Sequence, residues 1–120
     1  METLVALHSR NSVTSLSEPV PTQEEMKKVF QAALRAPDHA WLRPWKFIQV
    51  TGEGRKKLGE AFLRTATAVT EDLSEALVEK AKNAPLRAPM VLVLIADIKE
   101  HPKVPEIEQI ISTGAAAQNM

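Results

Sequence analysis

The thirteen residues from Arg35 to Phe47 hold the densest group of side chains able to bind a ligand. They include two arginines, a histidine, an aspartate and two tryptophans, and two prolines interrupt them. A turn that only reverses the chain is usually built from small polar residues. Guanidinium groups bind anions through a planar fork, and tryptophan rings offer a large flat surface. The segment therefore predicts a site for a flat ligand with a polar, anionic end.

Each candidate in this segment also has a purely structural interpretation. Arg35 lies near the end of a predicted helix, where a cation complements the helix dipole. His39 follows Asp38 in a turn, a position at which histidine is commonly a surface residue. Trp41 is harder to explain, because its ring stays exposed unless it packs on a ligand, a partner or another subunit. On the residues alone, both interpretations stay open for Arg35 and His39.

A second candidate site is the tripeptide Arg10-Asn11-Ser12. An arginine can grip two phosphate oxygens at once, and a serine hydroxyl two residues later can donate to the same phosphate. A solvated loop arginine beside a turn serine is the plainer interpretation of the same residues. On spacing alone, this plainer interpretation is favoured over a phosphate site.

Composition excludes several classes of function. The 120 residues are 44% hydrophobic and 25% charged, which predicts one globular domain over residues 1–120. Zero net charge gives no electrostatic case for binding nucleic acid or an anionic membrane. No apolar run is long enough to span a bilayer. The absence of cysteine fits the cytoplasm, which is the expected location.

The sequence offers no catalytic side chains of its own. Without cysteine there is no thiolate nucleophile, and the three histidines are not spaced as metal ligands. A Ser/His/Asp pattern, a pair of carboxylates, a phosphate loop and a dinucleotide fingerprint are all missing. We therefore expect no metal and no catalytic residue, and an enzyme built on this chain needs a cofactor for the reaction itself.

Apolar periodicity and turn residues predict alternating helices and strands. The predicted helices cover residues 2–9, 22–36, 55–69, 72–82 and the segment after Pro105, and the predicted strands cover 46–51 and 90–98. A capping box from Thr22 to Glu25 starts the second helix. The aliphatic 90–98 run suits a strand buried on both faces. Side chains expected to face inward from the first and last helices are Leu4, Val5, Leu7, Ile107, Ile110, Ile111, Gly114 and Ala115.

Two further expectations concern the core. Trp45 and Phe47 lie at the start of the first strand and are expected inside. The last helix runs to Met120 without a capping signal, and its Gly114–Ala117 surface is small and smooth. We therefore expect that the chain is cut within a core helix and that a longer natural protein continues beyond it.

Taken in order, these segments resemble the flavin-dependent nitroreductase family, and more narrowly its short bacterial NAD(P)H nitroreductases. The resemblance covers essentially the whole chain, and its strength lies in the ordered sum of the motifs. The matching segments are Arg10-Asn11-Ser12, Glu18-Pro19-Val20-Pro21-Thr22, Arg35-Ala36-Pro37-Asp38-His39, Pro44-Trp45-Lys46-Phe47, Gly52-Glu53-Gly54-Arg55, Lys80-Ala81, Asn83-Ala84-Pro85, Arg87-Ala88-Pro89, Lys103-Val104-Pro105 and Glu108-Gln109.

The resemblance implies an α+β fold with helices around a mixed central sheet, and a homodimer with FMN at the subunit interface. Arg10, Asn11 and Ser12 would then hold the phosphate and ribityl end of FMN, and Arg35 and His39 would approach the same flavin from the other subunit. Hydride would pass from NAD(P)H through flavin N5 to a small electron acceptor, a nitroaromatic or a quinone. Arg35 would stabilise the negative charge of the reduced flavin.

The sequence departs from the family pattern at three positions. Asn11 stands where a second basic residue is usual, Trp41 where many members have an asparagine that touches the flavin, and Arg43 where glutamine is common. Trp41 and Arg43 are therefore candidate contacts to the substrate or the flavin face. A non-catalytic flavin-binding module, or an interaction protein anchored by Trp41, remains the alternative function.

Overall fold

The computed structural model describes residues 2–120. Its helices are α1 (Thr3–Ser9), α2 (Gln23–Ala33), α3 (Glu53–Val69), α4 (Glu75–Asn83) and α5 (Glu106–Asn119), and its strands are β1 (Trp45–Thr51) and β2 (Met90–Ala96). Short 3₁₀ helices cover His39–Trp41 and Ala84–Arg87. No helix in this part of the chain is both long and apolar enough to cross a membrane.

The described chain divides into two compact units. The first comprises the chain up to Glu18 together with Glu53–Pro89, and the second comprises Pro19–Gly52 together with Met90–Met120. The first unit therefore holds α1, α3 and α4, and the second holds α2, α5 and both strands. A single domain over residues 1–120 stays a prediction.

Close packing of α3 on α4 defines the first unit. Gly59 of α3 is buried, and a Cβ at this position would overlap the Lys82 carbonyl of α4. Ser74 caps α4 by accepting a hydrogen bond from the Leu77 N–H at 3.4 Å. The guanidinium of Arg55 donates to the Ala88 carbonyl at 2.7 Å. The loop after α4 is thus tied to the start of α3.

The second unit is built on an antiparallel strand pair. The register places Trp45 opposite Ala96 and Thr51 opposite Met90. Backbone pairing continues one residue past the Trp45–Ala96 end of the two strands, because the Asp97 N–H donates to the Pro44 carbonyl at 2.9 Å. Both strands have partly exposed faces, so the expectation that the second strand is buried on both faces is wrong in this structure.

The core of this second unit forms where α2 and α5 meet the start of β1. Its buried members are Ala33, Ala36, Trp45 and Ala116, with Phe47 packed against them. This confirms Trp45 as a core residue and places Phe47 at the edge of the core. The Phe30 and Phe47 rings lie 5.7 Å apart in a tilted arrangement. Small alanines let the two helices approach the large indole ring.

The predicted start of α2 is confirmed. The Thr22 hydroxyl accepts from the Glu25 N–H at 3.3 Å, and a Glu25 carboxylate oxygen accepts from the Thr22 N–H at 2.7 Å. These reciprocal bonds satisfy two backbone donors that have no partner inside the helix. The bonds that the Thr22 N–H and the Thr22 hydroxyl donate to this carboxylate hold the pKa of Glu25 below its usual value.

The inward face predicted for α1 is wrong, and that predicted for α5 is wrong at its isoleucines and Gly114, whereas Ala115 does pack against the core. No residue of α1 is buried, and Leu4 is 65% exposed. In α5 the buried residues are Gln109, Thr113 and Ala116, whereas Ile111 is 63% exposed. The reason in α5 is that Gln109 and Thr113 on its buried face bind main-chain groups, and of its buried residues only the small Ala116 belongs to the apolar core.

Polar contacts explain the buried face of α5. The Gln109 amide donates to the Lys99 carbonyl and accepts from the Lys99 N–H, both at 2.8 Å. The Thr113 hydroxyl donates to the Pro44 carbonyl at 2.8 Å. A buried main-chain group needs such a partner, and an isoleucine at either position offers none.

Helices with a small sheet place the described chain in the α+β class, as expected. Within residues 2–120 the sheet has two antiparallel strands. The mixed sheet that the resemblance implied would also need a parallel pair, and none lies among these residues.

Candidate functional site

The Arg10-Asn11-Ser12 segment begins where α1 ends. Arg10 leaves the helix in an extended conformation, and its N–H bonds the Ala6 carbonyl. Its guanidinium donates to the Ser12 hydroxyl at 3.4 Å. All three residues are exposed. A guanidinium and a hydroxyl thus lie side by side at the protein surface, and this donor set fits a phosphate group.

Residues 38–43 form a loop with an unusual backbone. Ala40, Trp41 and Arg43 have φ values of 59°, 56° and 50°, in the left-handed region. A residue with a Cβ is disfavoured there by roughly 1–2 kcal/mol. Three such residues in a span of four persist only where surrounding contacts determine the loop, a condition typical of functional segments.

Three polar contacts determine this loop. The Asp38 carboxylate, with a side chain only 6% exposed, accepts from the Arg43 N–H at 3.0 Å. The Arg43 guanidinium donates to the Leu34 carbonyl at 3.3 Å, just past the end of α2. Lys99 donates from Nζ to the Arg43 carbonyl at 2.9 Å. Arg43 is therefore held through its N–H, its carbonyl and its side chain.

The loop presents Trp41 to solvent. The indole is 76% exposed, and the guanidinium carbon of Arg43 lies 4.6 Å from the centre of its ring. Arginine over an aromatic face is a favourable cation–π arrangement. The stack holds a large flat surface in a fixed position, with positive charge beside it.

Arg35 lines the same cleft as Trp41 and Arg43 of this loop. It follows the end of α2 rather than occupying its last turn, and its N–H bonds the Ala32 carbonyl at 3.0 Å. No hydrogen bond or ion pair engages its guanidinium within residues 2–120. It lines a cleft of about 260 Å³, together with Leu34, Ala36, Pro37, Asp38, Trp41 and Arg43. Two arginines and one aspartate leave this cleft net positive.

His39 has a partner that sequence reasoning missed. Its Nδ1 lies 2.8 Å from a carboxylate oxygen of Glu108, in the first turn of α5. Both side chains are about half exposed. The two residues are 69 positions apart, and the helix dipole alone already explains an acid at Glu108, so no sequence signal indicated the pair.

Charged groups beside the sheet complete the surroundings of the loop. Lys46 donates to the Asp97 carboxylate at 2.9 Å, and Lys99 approaches the same carboxylate at 3.4 Å. The hydrogen bond from Lys46 holds the pKa of Asp97 below its usual value. No group of histidine, aspartate and glutamate side chains in the described part of the chain could hold a metal ion.

Comparison with known sequences gives a consistent result. A sequence model of the nitroreductase family matches residues 7–120. The Escherichia coli K12 protein named "Putative NAD(P)H nitroreductase YdjA" is 38% identical over 120 residues, which is all of this chain and 64% of that protein. The Haemophilus influenzae protein named "Putative NAD(P)H nitroreductase" is 40% identical over 121 residues, which is 65% of that protein. The chain thus spans slightly less than two thirds of these relatives.

Solved structures agree on the fold. A nitroreductase-like family protein from Bacillus cereus matches with a TM-score of 0.72 and 25% identity, over 99% of this chain and 62% of that one. A nitroreductase family protein from Clostridium novyi NT matches with a TM-score of 0.69 and 23% identity, over 99% of this chain and 61% of that one. The predicted nitroreductase-like α+β fold is confirmed.

Proposed function

The chain belongs to the nitroreductase family, and from that membership we propose that the full protein is an FMN-dependent oxidoreductase. When bound, FMN would supply hydride transfer from NAD(P)H to a nitroaromatic or quinone acceptor. The observation that carries the proposal is the match over residues 7–120, together with relatives whose names include NAD(P)H nitroreductase.

The Arg10-Asn11-Ser12 segment is the proposed site for the phosphate and ribityl end of FMN. The contact between the Arg10 guanidinium and the Ser12 hydroxyl supports this role, because it brings two groups that bind phosphate to 3.4 Å from each other. Asn11 is uncharged and contributes no Coulomb attraction. Arg10 thus supplies the positive charge of this segment.

The loop that contains Trp41 is the proposed flavin and acceptor side of the site. Arg35 has a guanidinium free to face an anionic flavin edge, and a cation placed there favours the reduced form. His39 is already oriented by Glu108, so it would act as a fixed hydrogen-bonding group. Trp41 and Arg43 would offer the aromatic acceptor a stacking surface. No side chain of this chain needs to act as a nucleophile or base.

We also propose that the protein is a cytoplasmic homodimer with FMN between its subunits, and that residues 1–120 belong to one nitroreductase-like domain. The cytoplasmic location rests on the absence of cysteine, the homodimer on the family resemblance, and the single domain on the match over residues 7–120. Sedimentation of the full-length protein with and without FMN tests the dimer. A monomer under both conditions would contradict it.

The decisive experiment is an absorbance spectrum of the purified full-length protein. We expect a flavin band at about 450 nm, either as purified or after adding FMN and removing the excess, as for any protein that retains a flavin. A colourless protein that gains no such band would overturn the proposal.

Arg10→Ala tests the phosphate segment. A hydrogen bond to a charged group contributes about 1.5–3 kcal/mol, so the FMN Kd should rise roughly ten- to hundred-fold. Arg64→Ala is the matched control, because Arg64 is an exposed arginine of α3 whose side chain has no partner among residues 2–120. Equal Kd values for the two variants would remove Arg10 from the site.

One observation favours an alternative function. Trp41 is 76% exposed, and tryptophan is a common anchor in protein interfaces. A non-catalytic flavin-binding module, or an interaction protein, would use this surface without turnover. Stopped-flow mixing with NADH or NADPH distinguishes these functions, because a protein that only binds flavin leaves it oxidised, whereas the proposed enzyme bleaches the flavin band.

A further inference from the structure

Residues 13–16, here called the strap, follow the Arg10-Asn11-Ser12 segment and lie against the corner formed by residues 84–88. The hydrogen bonds that join the strap to this corner involve Arg87. Its carbonyl accepts from the Leu16 N–H at 2.8 Å and from the Ser15 hydroxyl at 3.2 Å. Its side-chain Nε donates to the Thr14 carbonyl. One residue therefore holds three successive strap residues.

Apolar packing contributes little to this attachment. Val13 and Leu16, the large apolar residues of the strap, are 56% and 60% exposed. An open cleft of about 310 Å³ lies beside the strap and the corner. With neither side chain buried, the polar bonds to Arg87 determine where the strap lies.

The backbone of the corner is constrained at both of its ends. Pro85 is buried within it, and its ring fixes the local backbone. The Ala88 carbonyl accepts from the Arg55 guanidinium at 2.7 Å. Arg87 thus connects a constrained corner to a strap that begins one residue after Ser12.

We infer that Arg87 is a positioning residue for phosphate recognition by the Arg10-Asn11-Ser12 segment. It touches no phosphate itself. By holding Thr14 and Leu16 it limits the conformations open to the segment before them, so that Arg10 and Ser12 are arranged before the ligand arrives. The inference rests on the proposed function, because the phosphate in question is that of FMN.

The test compares FMN with riboflavin, which has the same flavin ring and no phosphate. In the full-length protein, Arg87→Met keeps most of the side-chain stem and removes the bond to Thr14. We expect the FMN Kd to rise about tenfold, and the riboflavin Kd to change less than twofold, both followed by quenching of flavin fluorescence. Arg87→Lys, which can still donate to the Thr14 carbonyl, should recover part of the loss. Arg64→Met controls for the loss of one exposed positive charge in α3 and should change neither Kd.

Hydrogen exchange provides a readout that needs no flavin. The Leu16 amide should exchange faster in Arg87→Met than in the unmodified protein, because the strap loses the bond at Thr14 that helps to keep it against the Arg87 carbonyl. Ser15→Ala removes the bond from the Ser15 hydroxyl to the Arg87 carbonyl without changing charge. It should also raise the FMN Kd, and it replaces Arg87→Met as the test if that variant does not fold. An unchanged ratio of FMN to riboflavin Kd in both variants would overturn the inference. That outcome includes equal weakening of both ligands, which would indicate general destabilisation. Absence of flavin binding by the unmodified protein would instead overturn the proposed function, and this inference with it.

Discussion

The carboxylate of Asp38 accepts a hydrogen bond from the backbone N–H of Arg43, five residues later, at 3.0 Å. This bond closes the loop in which Ala40, Trp41 and Arg43 adopt left-handed backbone conformations. The loop therefore depends on a nearly buried acceptor to stay in an unfavourable shape. In this shape the loop exposes the indole of Trp41 to solvent.

Asp38→Ala should release this loop. The Arg43 N–H would lose its partner, at a cost of about 1–3 kcal/mol in the free energy of unfolding. Trp41 should also lose its fixed environment, which fluorescence anisotropy and near-ultraviolet circular dichroism can detect. Asp72→Ala is the control, because Asp72 is exposed and has no partner in the described chain. Identical stability and spectra for the two variants would show that Asp38 does not hold the loop. A Trp41→Phe background assigns the spectral change, since Trp45 is the one other tryptophan.

Gln109→Leu should destabilise the second unit. Gln109 is 2% exposed, and its amide pairs both main-chain groups of Lys99. Leucine keeps the approximate volume and leaves both groups unpaired, so we expect a loss of about 2–4 kcal/mol by chemical denaturation. Gln118→Leu, at an exposed site on the same helix, should change stability by less than about 0.5 kcal/mol. A stable Gln109→Leu protein would contradict the role assigned to this residue.

Two glycine-to-alanine changes should have opposite effects. A Cβ at Gly59 would overlap the Lys82 carbonyl, so α3 and α4 must separate, and we expect a loss of about 1–3 kcal/mol. A Cβ at Gly114 meets no atom within 4 Å, and alanine there should add up to about 1 kcal/mol through helix propensity. Thermal unfolding of the two variants checks the signs. Stabilisation by Gly59→Ala would mean that the two helices are not in close contact.

Glu25 should make stability depend on pH in a defined direction. Its pKa is lower in the folded protein than in the unfolded chain because Thr22 donates to its carboxylate. The unfolded state therefore binds more protons, and stability rises with pH. The contribution is fully present above the ordinary glutamate value of about 4 and is lost as pH falls through the lowered folded value.

Glu25→Gln isolates this contribution, because glutamine can still reach the Thr22 N–H but carries no charge. The unmodified protein should be more stable than the variant at neutral pH, and the difference should shrink as pH falls below about 4. Glu71→Gln, at an exposed glutamate outside any helix, should show no comparable trend. A difference in stability between the unmodified protein and Glu25→Gln that grows on acidification would contradict this prediction.

Local features were predictable from sequence. The Thr22–Glu25 capping box was predicted from two residues three positions apart, since all of its atoms belong to one turn. The first strand was predicted to within one residue, and Trp45 was placed correctly in the core. Of the candidate site, the binding of one phosphate by Arg10 and Ser12, suggested by their spacing, stays a prediction.

Features that join distant residues were not predictable. The apolar stripe of α5 suggested that its isoleucines face inward, but Gln109 and Thr113 take that face because Lys99 and Pro44 expose main-chain groups to it. The His39–Glu108 pair joins residues 69 positions apart. Nothing in the composition of the loop indicated a left-handed Ala40, a conformation normally supplied by glycine.

Three polar residues of α5 have an evolutionary consequence, because each of them binds a main-chain oxygen of another segment. Gln109 reaches Lys99, Thr113 reaches Pro44, and Asn119 reaches Ala32. Almost any amino acid supplies the same oxygen, whereas few side chains can replace the three that bind it. We therefore expect mutational tolerance to be asymmetric: positions 32 and 99 can drift to other residues without breaking these bonds, while 109, 113 and 119 cannot.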